Sequence, residues 1–189
     1  VIMNPPYKKI RSNSTSRKLL SQVGIETSNL YTAFMSLAVN AMECGGHFVS
    51  ITPRSFCNGP YFKSFRKAFL KAMQLNRLHL FDSRKDAFSD DAVLQENIIV
   101  SATRTEVQAR NRVAISSSSR PSEASTRHRV VPYESVISAN DPDLFIHLAI
   151  DEGADATARR MDSLPSDLGG TGAAVSTGRV VDFRARAYL

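Results

Sequence analysis

The residues best suited to chemistry are Asn4-Pro5-Pro6-Tyr7, which follow a short apolar run of Val1, Ile2 and Met3. That pattern is a buried strand leading into a stiff turn. Asn4 and Pro5 each precede a proline, so both are driven away from the helical region. Pro5 and Pro6 carry no N–H and have a fixed φ. The turn therefore offers a rigid pair of acceptors, the Asn4 side-chain oxygen and the Pro5 carbonyl, beside the flat ring of Tyr7. An exocyclic amine, with two N–H donors in one plane, is the group such a pair can grip. Two plainer readings stand beside this one. The segment is either a strand-ending turn without chemistry or a proline-rich ligand, and a single isolated Pro-Pro argues against the latter.

The elements that must position this turn follow it in the chain. Lys8 to Ser21 reads as an exposed, mobile loop whose lysines and arginines are either solvated surface or DNA-backbone contacts. Helical spacing of Leu30, Phe34, Leu37, Ala38, Ala41 and Met42 predicts a helix over 28–44, capped by Ser28 and followed by Gly45. His47 to Thr52 reads as a strand stopped by Pro53. Arg54 and Ser55, in the loop after it, either touch a ligand or cap the next turn. Pro60 opens a second helix, with Tyr61, Phe62, Phe65, Phe69 and Met73 on its apolar side and Lys63, Arg66, Lys67 and Lys71 on a basic face. Leu75 to Phe81 and Val93 to Ala102 read as strands around a polar loop that carries Phe88. Asn111 to Ser116 is expected to pair with the second of these as a hairpin.

Downstream, a Ser-rich stretch over 116–127 reads as a linker. Asp141-Pro142 is expected to cap a short helix running to Ile150. Ala154 to Leu164 reads as another helix, and Gly169 to Gly172 as flexible. Helix, glycine turn and strand in alternation indicate an α/β fold with a mostly parallel sheet. The glycine-rich nucleotide-binding turn that such folds place after their first strand does not occur after Met3.

Composition narrows the function. The 189 residues are 42% hydrophobic, enough for a packed core, and include only two cysteines, too few for a disulfide framework. There is no apolar run of about 18 residues, no signal-peptide pattern and no Cys or His spacing that suits a metal. A net charge of +6 favours a polyanionic partner. A cytoplasmic protein fits this best.

Asn4-Pro5-Pro6-Tyr7 resembles the catalytic motif of amino-methyltransferases that use S-adenosylmethionine, above all the DNA adenine-N6 methyltransferases. Gly45 to Phe56, and Asp86-Ala87-Phe88 with Val93 to Val100, resemble the segments that follow that motif in the type II restriction-modification enzymes. The resemblance implies a Rossmann-like methyltransferase sheet. Residues 1–115 would be the C-terminal half of the catalytic domain, 116–127 a linker, and 128–189 an extension leading into the target-recognition region. It implies methyl transfer to an adenine flipped out of double-stranded DNA in a prokaryotic cytoplasm, with a restriction nuclease as a further partner. Asn4 and the Pro5 carbonyl would accept from the adenine amine, Pro6 would stiffen the turn, and Tyr7 and Phe88 would stack on the base. No metal is implied. The glycine-rich cofactor motif is missing, so no cofactor contact is assigned, and the expectation is a fragment inactive by itself. Two alternatives remain open: an RNA or protein-glutamine amino-methyltransferase, and a non-catalytic DNA-binding or assembly module.

Overall fold

The computed structural model describes residues 1–81, 96–107, 109, 112–118, 127–148 and positions between 153 and 174. The chain divides into two compact units, Val1–Ile150 and Asp151–Leu189. In the second, Gly153, Ala156, Thr157, Arg160 and Met161 are helical and 168–172 form turns.

The first unit is built on one six-stranded sheet. Its strands are β1 (Ile2–Met3), β2 (His47–Pro53), β3 (Met73–Phe81), β4 (Asn97–Arg104), β5 (Val113–Ser118) and β6 (Arg127–Val131), arranged in the order β1-β2-β4-β3-β5-β6. β1 runs parallel to β2, and β3 parallel to β5. β4 lies antiparallel between β2 and β3, and β6 is antiparallel to β5 at the edge. The expected pairing of Asn111–Ser116 with the preceding strand does not form. β4 has both edges taken by β2 and β3, so β5 attaches to the free edge of β3 and finds its antiparallel partner in β6.

Alternation along the strands sets the two faces. Phe48, Leu78, Leu80, Ile98, Val100, Ala102 and Ile115 are all buried and belong to the main hydrophobic cluster. The same cluster takes in Met35 and Val39 of α2 (Leu30–Ala41) and Phe65 and Phe69 of α3 (Lys63–Ala72), with the Phe48 and Phe69 rings 5.8 Å apart. The opposite side chains, among them Val49, Ile51, Ile99 and Ser101, are only half-buried. On that side His79 bonds Ser116 at 2.8 Å and Ser118 at 3.1 Å.

Four further expectations need correction. Residues 8–21 are not all loop: α1 spans Thr15–Gln22, capped by Ser14, which accepts from the Arg17 N–H at 3.2 Å, and it buries no residue. A helix with nothing to pack against leaves no apolar period to read. α2 starts after Asn29 rather than Ser28. The helix foreseen from Asp141 is absent. Instead Asp141 accepts from the Asp143 and Phe145 backbone N–H groups at 2.8 and 2.7 Å, closing a turn in place of a helical start. Burial opposes its charge, but those N–H groups hold the carboxyl below the usual carboxylate range.

The fourth correction concerns Arg66, which is 1% exposed and does not share the solvated basic face of α3. Its guanidinium donates to the carbonyls of Phe56, Gly59 and Asp143 at 2.9, 2.7 and 2.9 Å, and lies 4.9 Å over the Phe145 ring. It thus ties the loop after β2 and the 143–145 segment to α3. Hydrogen bonds to a charged group contribute roughly 1.5–3 kcal/mol each. Arg66→Ala removes three at once and strands their buried acceptors, so a loss of about 3 kcal/mol or more is expected in urea unfolding. A loss below about 0.5 kcal/mol, the level of an ordinary surface change, would show that the contacts do not hold the loop.

Candidate active site at the carboxyl end of the first strand

β1 ends at Met3, so Asn4 leaves the sheet beside the carboxyl end of its parallel neighbour β2. This edge is where α/β sheets gather ligands. Pro5 is buried and anchors the turn, while Asn4 and Pro6 are exposed and Tyr7 is half-buried.

The Tyr7 hydroxyl is 3.0 Å from Asn4 Oδ1 and 3.2 Å from the Ile51 carbonyl, so its single proton is shared between these two acceptors. Burial pushes the Tyr7 phenol above its ordinary pKa, so it keeps its proton at neutral pH. A carboxamide oxygen has two lone pairs. The phenol can address only one, and it fixes which end of the exposed Asn4 amide is oxygen. Among the described residues no donor reaches the Pro5 carbonyl. Both acceptors anticipated from the sequence are therefore available to an incoming amine.

Tyr7 is held from behind by Tyr31 of α2, edge-on with ring centroids 6.3 Å apart. The Tyr31 hydroxyl bonds Ser55 Oγ at 2.9 Å, so Ser55 braces the aromatic pair instead of capping a turn. Ser55 belongs to a 3-10 turn over Arg54–Phe56 directly after β2. Arg54 is paired with Glu96 at 2.8 Å, and its N–H donates to the Glu96 carbonyl, which fastens this turn to the start of β4.

A cavity of about 490 Å³ opens beside Tyr7, walled also by Lys9, Ser28, Asn29, Tyr31, Pro53, Ser55, Tyr61 and Phe62. Tyr61 was grouped with the apolar face of a helix from Pro60, yet it is 84% exposed. Pro60–Phe62 is a 3-10 turn and α3 begins only at Lys63, so the 3.6-residue period does not apply at Tyr61. The cavity brings together residues 7–9, 28–31 and 53–62, a juxtaposition with no signature in linear spacing. Phe88, the other expected stacking residue, lies outside the described residues.

Gly45 and Gly46 occur between α2 and β2, at the end of β2 opposite Asn4. Gly45 has φ +84° and its N–H donates to the Arg104 carbonyl at 2.8 Å, which accounts for that glycine as a turn residue. Among the described residues no cluster of His, Cys, Asp or Glu could hold a metal ion, and no helix is long and apolar enough to cross a membrane.

The chain is 48% identical over 188 residues to the type II methyltransferase M.PstI of Providencia stuartii, and 44% identical over 188 residues to M.BsuBI of Bacillus subtilis. Each alignment covers 100% of this chain and 37% of the relative, so the chain spans little more than a third of the length of these curated relatives. A chain from a structure of a type I restriction-modification system superposes with a TM-score of 0.58 at 12% identity, covering 85% of this chain and 41% of that one, which supports a shared Rossmann-like fold. Residues 1–88, which carry both the Asn-Pro-Pro-Tyr turn and β2, match the Eco57I restriction-modification methylase family.

Proposed function

We propose that the chain is the amine-binding part of a site-specific DNA adenine-N6 methyltransferase, a restriction-modification enzyme whose methyl donor is S-adenosylmethionine. The observation that carries this reading is the free lone pair of Asn4 Oδ1 beside the unbonded Pro5 carbonyl, at a sheet edge suited to ligands. An adenine amino group is a poor nucleophile because its lone pair is delocalised into the ring. Two acceptors held out of the ring plane favour a pyramidal nitrogen, free that lone pair and stabilise the charge that develops on it. The donor supplies an activated methyl group, bound by residues other than those described. The base must first leave the duplex, at a cost of a few kcal/mol. Stacking on Tyr7 and on Phe88 offsets about 1–3 kcal/mol per ring contact.

In this reading residues 1–115 serve catalysis and 128–189 lead toward target recognition; the stretch over 116–127, expected as a linker, joins the paired strands β5 and β6 of one sheet. Double-stranded DNA is the substrate, a restriction nuclease acts on the same site, and the protein works in a prokaryotic cytoplasm. The test is product identity. The intact protein is incubated with duplex DNA and tritiated methyl donor, and the DNA is digested to nucleosides. Label is expected in N6-methyladenine; label in methylcytosine would overturn the assignment to adenine, and label confined to RNA or protein would overturn DNA as the substrate.

A further inference from the structure

The cavity beside Tyr7 extends beyond the acceptor pair. Among the described residues Asn4 is not one of its walls, and the Tyr7 hydroxyl is bonded to Asn4 and Ile51. At about 490 Å³ the cavity is nevertheless within the range of roughly 300–1,000 Å³ typical of small-ligand clefts.

Its chemistry is lopsided. Tyr7, Tyr31, Tyr61 and Phe62 supply aromatic surface, Ser28, Asn29 and Ser55 supply hydrogen-bonding groups, and Lys9 supplies one positive charge with no carboxylate among the described walls. Lys9 has no ion-pair partner among the described residues. Its backbone is nonetheless pinned. Lys9 bridges Asn29, the Ile10 N–H donates to Ser28 O at 2.8 Å and the Leu30 N–H to Lys8 O at 2.8 Å. Tyr61, 84% exposed on a short 3-10 turn, stands at the rim with its ring unburied. A cation and an aromatic face are the two halves of a nucleotide site, one for phosphate and one for a base.

We infer that this cavity holds a nucleotide flanking the target adenine on the same DNA strand, its phosphate on Lys9 and its base against Tyr61. The inference rests on the methyltransferase reading above, since it takes the target adenine to lie at Asn4. Lys9 and Tyr61 then act as DNA-positioning residues. They hold the strand on one side of the extruded base and make that neighbour part of what the enzyme reads.

The experiment uses the intact protein and a fluorescent duplex carrying its methylated site, with anisotropy measured over a range of salt. Lys9→Ala is expected to shallow the dependence of log affinity on log salt by about 0.9, the value of one phosphate contact. Tyr61→Ala is expected to weaken binding roughly 5- to 150-fold, the span of one base–aromatic stack, and to raise KM for DNA by the same factor. Tyr61→Phe, which keeps the ring, stays near wild type. Duplexes with an abasic nucleotide locate the contact. The effect of Tyr61→Ala should vanish when the immediate 5′ or 3′ neighbour is abasic, and persist when the target adenine is abasic. Unchanged affinity and salt slope in both variants would overturn the inference, as would loss of the Tyr61 effect only at an abasic target. Circular dichroism confirms folding of both variants, whose side chains lie at the surface. If both variants bind weakly as expected while no methyladenine is made, the methyltransferase reading fails separately from the site.

Discussion

Asn4→Ala in the intact protein lowers methyl transfer by about 10²–10³-fold, the loss expected when one preorganised dipole is removed from a developing charge, and leaves DNA affinity near wild type. The split follows from where Asn4 sits. Its side chain is exposed at the end of β1, and its one recorded side-chain hydrogen bond, at 3.0 Å, comes from Tyr7, so truncation opens no core cavity. Only the acceptor is lost, and it acts on the amine rather than on the DNA backbone. Tyr7→Phe separates acceptor from anchor: it keeps the ring but removes the O–H that orients the Asn4 amide. A smaller fall in rate is expected there, because the carboxamide can still present its oxygen after rotating. The measurement is single-turnover transfer of tritiated methyl, with filter binding on the same samples. Near-wild-type transfer by Asn4→Ala would remove Asn4 from the catalytic assignment.

Residues 1–189 expressed alone show negligible binding of S-adenosylmethionine by calorimetry and no methyl transfer. The adenosyl and methionine groups need a βα crevice with a glycine-rich turn. The described glycines of the first unit do not form one after β1: Gly24 follows α1, Gly45 and Gly46 sit at the far end of β2, and Gly59 precedes a 3-10 turn. The same strands leave Val49, Ile51 and Ile99 only half-covered, with Ile2 88% exposed on the β1 edge strand, a pattern that favours self-association. Weak, salt-sensitive DNA binding is still expected from a chain of net charge +6. Stoichiometric micromolar binding of the cofactor by this chain would show that its own residues build the crevice.

The sequence by itself determined the local pieces. A proline pair after an apolar run reads as a stiff turn leaving a strand, because Pro5 and Pro6 have a fixed φ and no N–H for a ladder hydrogen bond. α2 and β2 were legible because each buries one face, and burial is what imprints a period on a sequence. α1 buries nothing and left no such mark, and Arg66 was misplaced because a guanidinium looks the same in linear sequence whether solvated or ringed by carbonyls. Only tertiary structure decided that β4 would lie between β2 and β3, since strand order depends on which edges remain free. It also decided that residues 7–9, 28–31 and 53–62 would share one cavity, and that the Tyr7 phenol would reach both Asn4 and a carbonyl 44 positions further along the chain. Those contacts cost nothing in local propensity and gain nothing from it. They arise where the parallel pairing of β1 with β2 brings two distant turns to the same edge of the sheet.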